Sequence, residues 1–347
     1  MTPSERNPSL EPFDAIRSER AAERLRGVVQ RTPLAPIDLG GSGGASDPRI
    51  ELRAKLENRQ ETGSFKARGA WNQVSQLSPA QRAAGVVCAS SGNHGKALAW
   101  AAQRAGVRAT IVMPANAYPN KVAACRGHGA EVVLAPTREA ADVVCAERVA
   151  AGATLVHPYD SARTVEGAGT VGLEIAEEWP EVEVVVVPVG GGGLISGTSL
   201  ALRRALGRRV RIFGAEPAGA PSLTLGIESG RPVVLERITS RVQGLTPTYS
   251  GQINVDVCRA TLDGVLLLDD EEIFAAQRRL VAAGETVEPG GSAAAALVTS
   301  GRLPAELLAG RGARDPLRVA VVVSGGNPDP AQLESLRREL AAGGTTR

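Results

Sequence analysis

Lysine is almost missing from this chain: of 39 basic side chains, only Lys55, Lys66, Lys96 and Lys121 are not arginine. A sequence that uses arginine wherever a surface charge suffices should keep lysine where an amine is required. Only an amine condenses with a carbonyl, and lysine readily loses its proton when desolvated. Aromatic residues are scarce, at 3%, and the net charge is +2 with no basic stripe; both argue against a nucleic-acid footprint. Long apolar runs are absent too. The best candidate, 182–195, is interrupted by Pro188 and four consecutive glycines, so no membrane span is expected. Residues 1–14 are polar and lack the apolar core of a signal peptide. Cys88, Cys125, Cys145 and Cys258 show neither CxxC nor Cys/His ligand spacing, and read as small buried hydrophobes of a reduced, cytoplasmic protein.

What is present is an alternation of strand and helix patterns. Apolar β-type runs at 86–89, 110–113, 131–135 and 154–157 are separated by Ala/Arg/Glu-rich helical stretches at 94–105, 120–127 and 138–151. That order predicts a parallel sheet covered by helices. A second set follows, with helices at 169–178, 196–206, 270–283 and 330–341 and strands at 182–189, 210–215, 264–268 and 319–324. Residues 219–251 read as irregular, and the 40–44 glycine tract and the last few residues as disordered. With 347 residues the chain is long enough for two domains. We read a small α/β domain, 75–163, inserted in a larger one built from 1–74 and 164–347.

Gly190, Gly191, Gly192 and Gly193 follow an all-apolar strand and precede a helix beginning near Leu194. Without Cβ atoms, successive N–H groups can turn toward one anion, and the helix dipole adds to the attraction. This is a phosphate cradle rather than a flexible linker, and no Gly-Lys-Ser/Thr makes it a Walker loop. Gly167-Ala168-Gly169-Thr170-Val171-Gly172 matches GxGxxG, but polar residues precede it instead of a buried strand, so close helix packing is expected there. Ser90-Ser91-Gly92-Asn93-His94-Gly95 closes a strand and opens a helix, a place suited to a carboxylate. His94, His128 and His157 each read as structural. Ser324-Gly325-Gly326-Asn327 ends the last apolar strand. Ligand crevices of parallel sheets lie at such strand ends. A lysine, a phosphate cup, a carboxylate cup and a hydroxyl together describe a site for pyridoxal phosphate and an amino acid.

The chain resembles the fold-type II pyridoxal-phosphate enzymes of the threonine/serine dehydratase and serine racemase family over almost its whole length. The resemblance is carried by Arg31-Thr32-Pro33-Leu34, Lys55-Leu56-Glu57-Asn58, Thr62-Gly63-Ser64-Phe65-Lys66-Ala67-Arg68-Gly69-Ala70, the residues from Ser90 to Gly95, 166–174, 188–194, Val287-Glu288-Pro289-Gly290 and 324–327. It implies a tryptophan synthase β-like fold, with two parallel-sheet α/β domains and the cofactor in the cleft between them. It also implies that Lys66 forms the internal aldimine and removes the α-proton, and that Phe65 flanks the pyridine ring. Asn93 would bond the phenolic oxygen, Gly190 to Leu194 would hold the phosphate, and Ser324 would face the ring nitrogen. Ser64, Ser91, Gly92, Asn93 and His94 would grip the substrate carboxylate, and Ser91 stands where racemases place a second acid/base. A homodimer is expected.

Departures narrow the reading. Relatives with a divalent cation show a Glu, a carbonyl four residues on and an Asp six on; here Glu216 and Ala220 fit but Ser222 replaces the Asp, which weakens a hard-cation site. No metal is therefore expected. Gln243-Gly244 stands for the usual Asp-Gly, and Gly290-Gly291-Ser292 also departs from the pattern, two changes able to alter the pocket that reads the substrate side chain. The leading expectation is an ammonia-lyase acting on L-threonine or L-serine, with the cofactor phosphate as proton source for the leaving hydroxyl. The alternatives are an amino-acid racemase and a lyase for a modified substrate such as 3-hydroxyaspartate or a hydroxyectoine derivative. A non-catalytic pyridoxal-phosphate or amino-acid binder is disfavoured by intact Lys66, Ser91 and Ser324.

Overall fold

The computed structural model describes residues 10–40 and 47–343. Most of the 40–44 tract and the last four residues, read above as disordered, lie outside them, as do the first nine residues. The strands are β1 (Leu34–Pro36), β2 (Ile50–Leu56), β3 (Val86–Ala89), β4 (Ala109–Pro114), β5 (Glu131–Ala135), β6 (Thr154–Leu155), β7 (Val184–Pro188), β8 (Arg211–Pro217), β9 (Gly264–Leu268) and β10 (Leu317–Val323). They form two sheets, ordered β1-β2-β10-β7-β8-β9 and β5-β4-β3-β6. Every neighbouring pair is parallel except β1 on β2.

The centre of the larger sheet shows why parallel strands read as continuous apolar runs: both faces are covered by helices. In β7, Val184 and Val186 pack toward Leu268, Ile273, Leu280 and the alanines of the helix Ala293–Thr299. Val185 and Val187 face the opposite way, toward Ile175, Leu202, Val255 and Cys258. In the smaller sheet, Cys88 and Ile111 share a core with Ala67, Ala70 and Val74, so the helix Lys66–Val74 packs its apolar side there. No helix among the described residues is long and apolar enough to cross a membrane.

Buried charge pins the start of that helix. The fully buried Arg68 guanidinium donates to Glu57 Oε1 at 2.7 Å and to Glu174 Oε2 at 2.9 Å. Lys55, equally buried, reaches Glu174 Oε2 at 2.8 Å and Thr32 O at 2.6 Å. Charges so deep are tolerated only when paired on every side.

The structure corrects several boundaries. The large sheet carries the short antiparallel edge strand β1, unread because three residues ending in proline give no periodic signal. The segment 219–251 contains the helix Ser222–Ser229, and the helix Gln252–Thr261 follows it unread. The helix after the glycines begins at Gly193, three residues earlier than 196. The GxGxxG glycines are packing glycines. A Cβ on Gly167 would lie 2.7 Å from Arg68 O, on Gly169 2.8 Å from Gly197 O, and on Gly172 2.4 Å from Thr198 O. No nucleotide-binding turn is formed; helices meet there backbone to backbone.

Candidate active site

Parallel strands deliver their carboxyl ends, and the helices that follow, to one edge of a sheet. From there come the turn after β10, the glycines after β7 and the loop after β3. Lys66 opens the helix Lys66–Val74, and its Nζ donates to Pro158 O at 2.7 Å. Burial lowers its pKa to about 8, opposed by nearby Cys88. Its ammonium stands 5.0 Å from the Phe65 ring centre. Phe65 N donates to Ser324 O at 3.2 Å, and Ser64 bridges to Gly325, so the lysine and the end of β10 are stitched together. The Ser64 hydroxyl is fully buried without a hydrogen-bond partner among the described residues. Such an orphan is rare and costly unless something else is to be bound.

The glycine tract behaves as a cradle. The amides of Gly190, Gly191 and Gly192 donate to no described residue, and the helix Gly193–Leu206 points its N-terminus into the same space. A Cβ on Gly191 would lie 2.3 Å from the Tyr159 ring, and one on Gly193 3.0 Å from Tyr159 Cα, so no side chain fits between loop and tyrosine. Asn254 Nδ2 ties the two together, donating to Gly191 O at 2.7 Å and Tyr159 O at 3.1 Å. Free amides, a positive helix end and the desolvated Lys66 amine suit a phosphorylated aldehyde. The residues fit pyridoxal phosphate.

Asn93 lies opposite, at the start of the helix Asn93–Ala105. Its Nδ2 donates to Glu288 Oε1, and its Oδ1 accepts from Asn327 Nδ2 at 2.9 Å. Gly291 is required beside this turn, since a Cβ there would sit 2.4 Å from Gly325 O. Ser91 and Gly92 lie in the loop after β3; Ser91 is exposed, and its hydroxyl has no partner among the described residues. The side chain of His94 is structural, as its place at a helix start suggested. Its imidazole is buried with Nε2 2.7 Å from Val156 O, and burial drives its pKa down to about 3. The ring is neutral and structural, leaving only its backbone for a carboxylate.

Two contacts cross from the smaller sheet's helices to the loop after residue 242. Gln243 Nε2 donates to Tyr118 Oη at 3.0 Å, and Arg138 Nη1 donates to Thr246 O at 3.3 Å. The candidate cation ligands are engaged by groups of the protein. The Glu216 carboxylate accepts from Leu223 N at 2.7 Å, Thr224 N at 3.0 Å and Thr224 Oγ1 at 2.6 Å. Ala220 O accepts from Ser222 N at 2.9 Å, and Ser222 Oγ lies 3.0 Å from Ser250 Oγ. The N-terminus of the helix Ser222–Ser229 only partly offsets the burial that pushes the Glu216 carboxyl up to about 7, and with Ser222 in place of a carboxylate the set offers a hard cation a single anionic ligand, a poor fit to a metal.

Sequence reasoning missed Tyr159, Asn254 and Lys96 beside this site, and gave no role to Asn327 and Glu288 within the motifs that contain them. For Lys96 a signal existed, because the scarcity of lysine singles it out as much as Lys66. For Asn254 none did, since its role arises from a contact with a loop 63 residues away.

The comparisons agree with the geometry. A family description, pyridoxal-phosphate dependent enzyme, matches residues 25–325. The chain is 38% identical to the phenylserine dehydratase of Ralstonia pickettii, over 93% of this chain and 95% of that one. It is 36% identical to the L-threonine ammonia-lyase of Thermotoga maritima, over 92% of this chain and 76% of the relative. The structure of maize serine racemase superposes with a TM-score of 0.82 at 31% identity, covering 97% of this chain and 99% of the other. With its lysine, amide cradle and paired parallel sheets, this chain belongs to the pyridoxal-phosphate-dependent enzymes of fold type II.

Proposed function

We propose that the protein eliminates the β-hydroxyl of L-threonine or L-serine, giving a 2-oxo acid and ammonia. The observation that carries the reading is the join between Phe65 and Ser324, which sets the desolvated Lys66 amine on a turn bonded to a strand end that carries a neutral hydroxyl. When bound, pyridoxal phosphate supplies the electron sink that acidifies the substrate α-carbon. In this reading the amides of Gly190 to Leu194 and the N-terminus of the helix Gly193–Leu206 hold the phosphate. Phe65 would flank the ring and Asn93 would donate to its phenolic oxygen. Ser64, Ser91, Gly92, Asn93 and the backbone of His94 receive the substrate carboxylate. Lys66, half neutral near pH 8, takes the α-proton. Ser324 would face the ring nitrogen with a neutral hydroxyl that, unlike a carboxylate, would not force a proton onto it, which would favour prompt loss of the leaving group. We further propose a cytoplasmic homodimer with the small domain at 75–163.

A panel of hydroxy amino acids, with 2-oxo acid read by absorbance, tests the reading. We expect turnover of L-threonine or L-serine and none in Lys66→Arg, whose guanidinium keeps the charge but not the amine chemistry. Faster racemisation of serine than deamination of any hydroxy amino acid would sink it. The unpartnered Ser91 hydroxyl favours racemisation as a side activity. Ser91→Ala should then lose it by about 10²–10⁴-fold, the usual worth of an acid/base group, while L-substrate deamination, with the other carboxylate ligands in place, should fall far less; equal collapse of both would assign Ser91 to carboxylate binding alone.

A further inference from the structure

We propose that Lys96 is a positioning residue that tunes the bound cofactor at a distance, through two side-chain amides standing between it and Glu288. The proposal rests on Asn93 facing the cofactor ring, as above. Lys96 Nζ donates to Asn327 Oδ1 at 2.9 Å, Asn327 Nδ2 donates to Asn93 Oδ1 at 2.9 Å, and Asn93 Nδ2 donates to Glu288 Oε1. Each amide accepts on its oxygen and donates through its nitrogen, so the bonds run one way from ammonium to carboxyl. Bonds aligned head to tail polarise one another, by about 10–30% each.

Counting hydrogens locates the output. Asn327 Nδ2 has two, and both are taken, by Asn93 and by Thr62 O at 2.9 Å. Asn93 Nδ2 also has two; one goes to Glu288, and the other has no acceptor among the described residues. That remaining N–H belongs to a nitrogen 3.1 Å from where a Gly325 Cβ would stand, beside Ser324 and the Phe65-Lys66 turn.

A second lysine anchors the middle of the chain, while burial works against the charge at each end. Lys121 Nζ donates to Asn327 O at 2.6 Å, fixing the backbone of the central residue. The Lys96 ammonium faces Lys121, Cys125, Glu288 and His128, and desolvation lowers its pKa. Burial raises the Glu288 carboxyl above the usual range, against Lys121, Asn93 and Lys96, which lower it. Lys96 and Lys121 are two of the four lysines the chain retains, and both converge on one asparagine.

The readout is the pH midpoint at which bound pyridoxal phosphate changes its visible absorption. Removing a nearby positive charge and weakening a donor to the phenolic oxygen both favour the protonated cofactor, so Lys96→Gln should raise the midpoint. A unit charge acting over roughly 10 Å through an effective dielectric near 20 shifts a titration by on the order of one pH unit. Lys96→Arg, which keeps the charge, should titrate like the parent, and Asn93→Ala should shift at least as far as Lys96→Gln. An unchanged midpoint in Lys96→Gln overturns the proposal, even with a lowered melting temperature, because that pattern describes a mere clasp between elements. If Asn93→Ala shifts while Lys96→Gln does not, the relay fails but Asn93 keeps its place. If neither shifts, that placement fails too, and the relay with it. The titration needs no substrate, so its outcome is separate from the hydroxy amino acid assay.

Discussion

Lys66 shows how one side chain can be read before and after folding. Its rarity marked it, but its poise comes from burial, which takes the amine down to about 8 from the ordinary 10.5. The folded protein therefore disfavours the ammonium. The resulting handicap of the apo-protein relative to Lys66→Met is full below pH 8 and fades as pH rises toward 10.5, where both folded and unfolded chains are neutral. We expect the difference in apo-protein melting temperature between Lys66→Met and the parent to shrink over that interval. Borohydride should trap the cofactor at Lys66 and at none of Lys55, Lys96 and Lys121; an adduct on any of those would refute the assignment. At this scale much was legible, because a rare residue type carries information by itself. Tyr159 and Asn254 were not, because an amide or a tyrosine becomes part of a cradle only through what the fold sets beside it.

Among elements, legibility followed the locality of the signals. The helix Asp270–Ala282 carries its own capping box, Asp269 with Glu272, and was read almost to the residue. The helix Ser222–Ser229 has no side-chain cap of its own; its first amides are satisfied by Glu216 from β8. No local window contains that information. The helix Lys66–Val74 is held the same way, by Arg68 between Glu57 and Glu174. Removing one partner of a buried pair typically costs about 3–5 kcal/mol. Glu57→Gln should therefore lower unfolding free energy by about 3 kcal/mol, since Glu174 still partners Arg68. Cofactor affinity should fall with it, because Lys66 shares the first turn. A denaturation midpoint matching the parent would mean the pair is dispensable.

For the molecule as a whole, the two sheets and their helix layers were legible, whereas the cross-sheet stitching was not. Whether a cation braces the loop after β8 is a matter of mass action: a ligand stabilises only the state that binds it. With Glu216 already bonded to the amides of Leu223 and Thr224, millimolar Mg²⁺ should leave melting temperature and turnover unchanged, and so should EDTA. A drop of several degrees after chelation would contradict this. The sheet order has a further consequence, for synthesis. β10, the last strand, is hydrogen-bonded between β2 and β7, and the turn after it stitches to Ser64 and Phe65. Until residue 323 has left the ribosome, β2 and β7 each present an open edge, the template on which chains aggregate. Pairings so distant in sequence also close slowly. A nascent chain must therefore wait with its central seam unzipped, and any agent that shields exposed strand edges during that wait should decide how much of it reaches the native state.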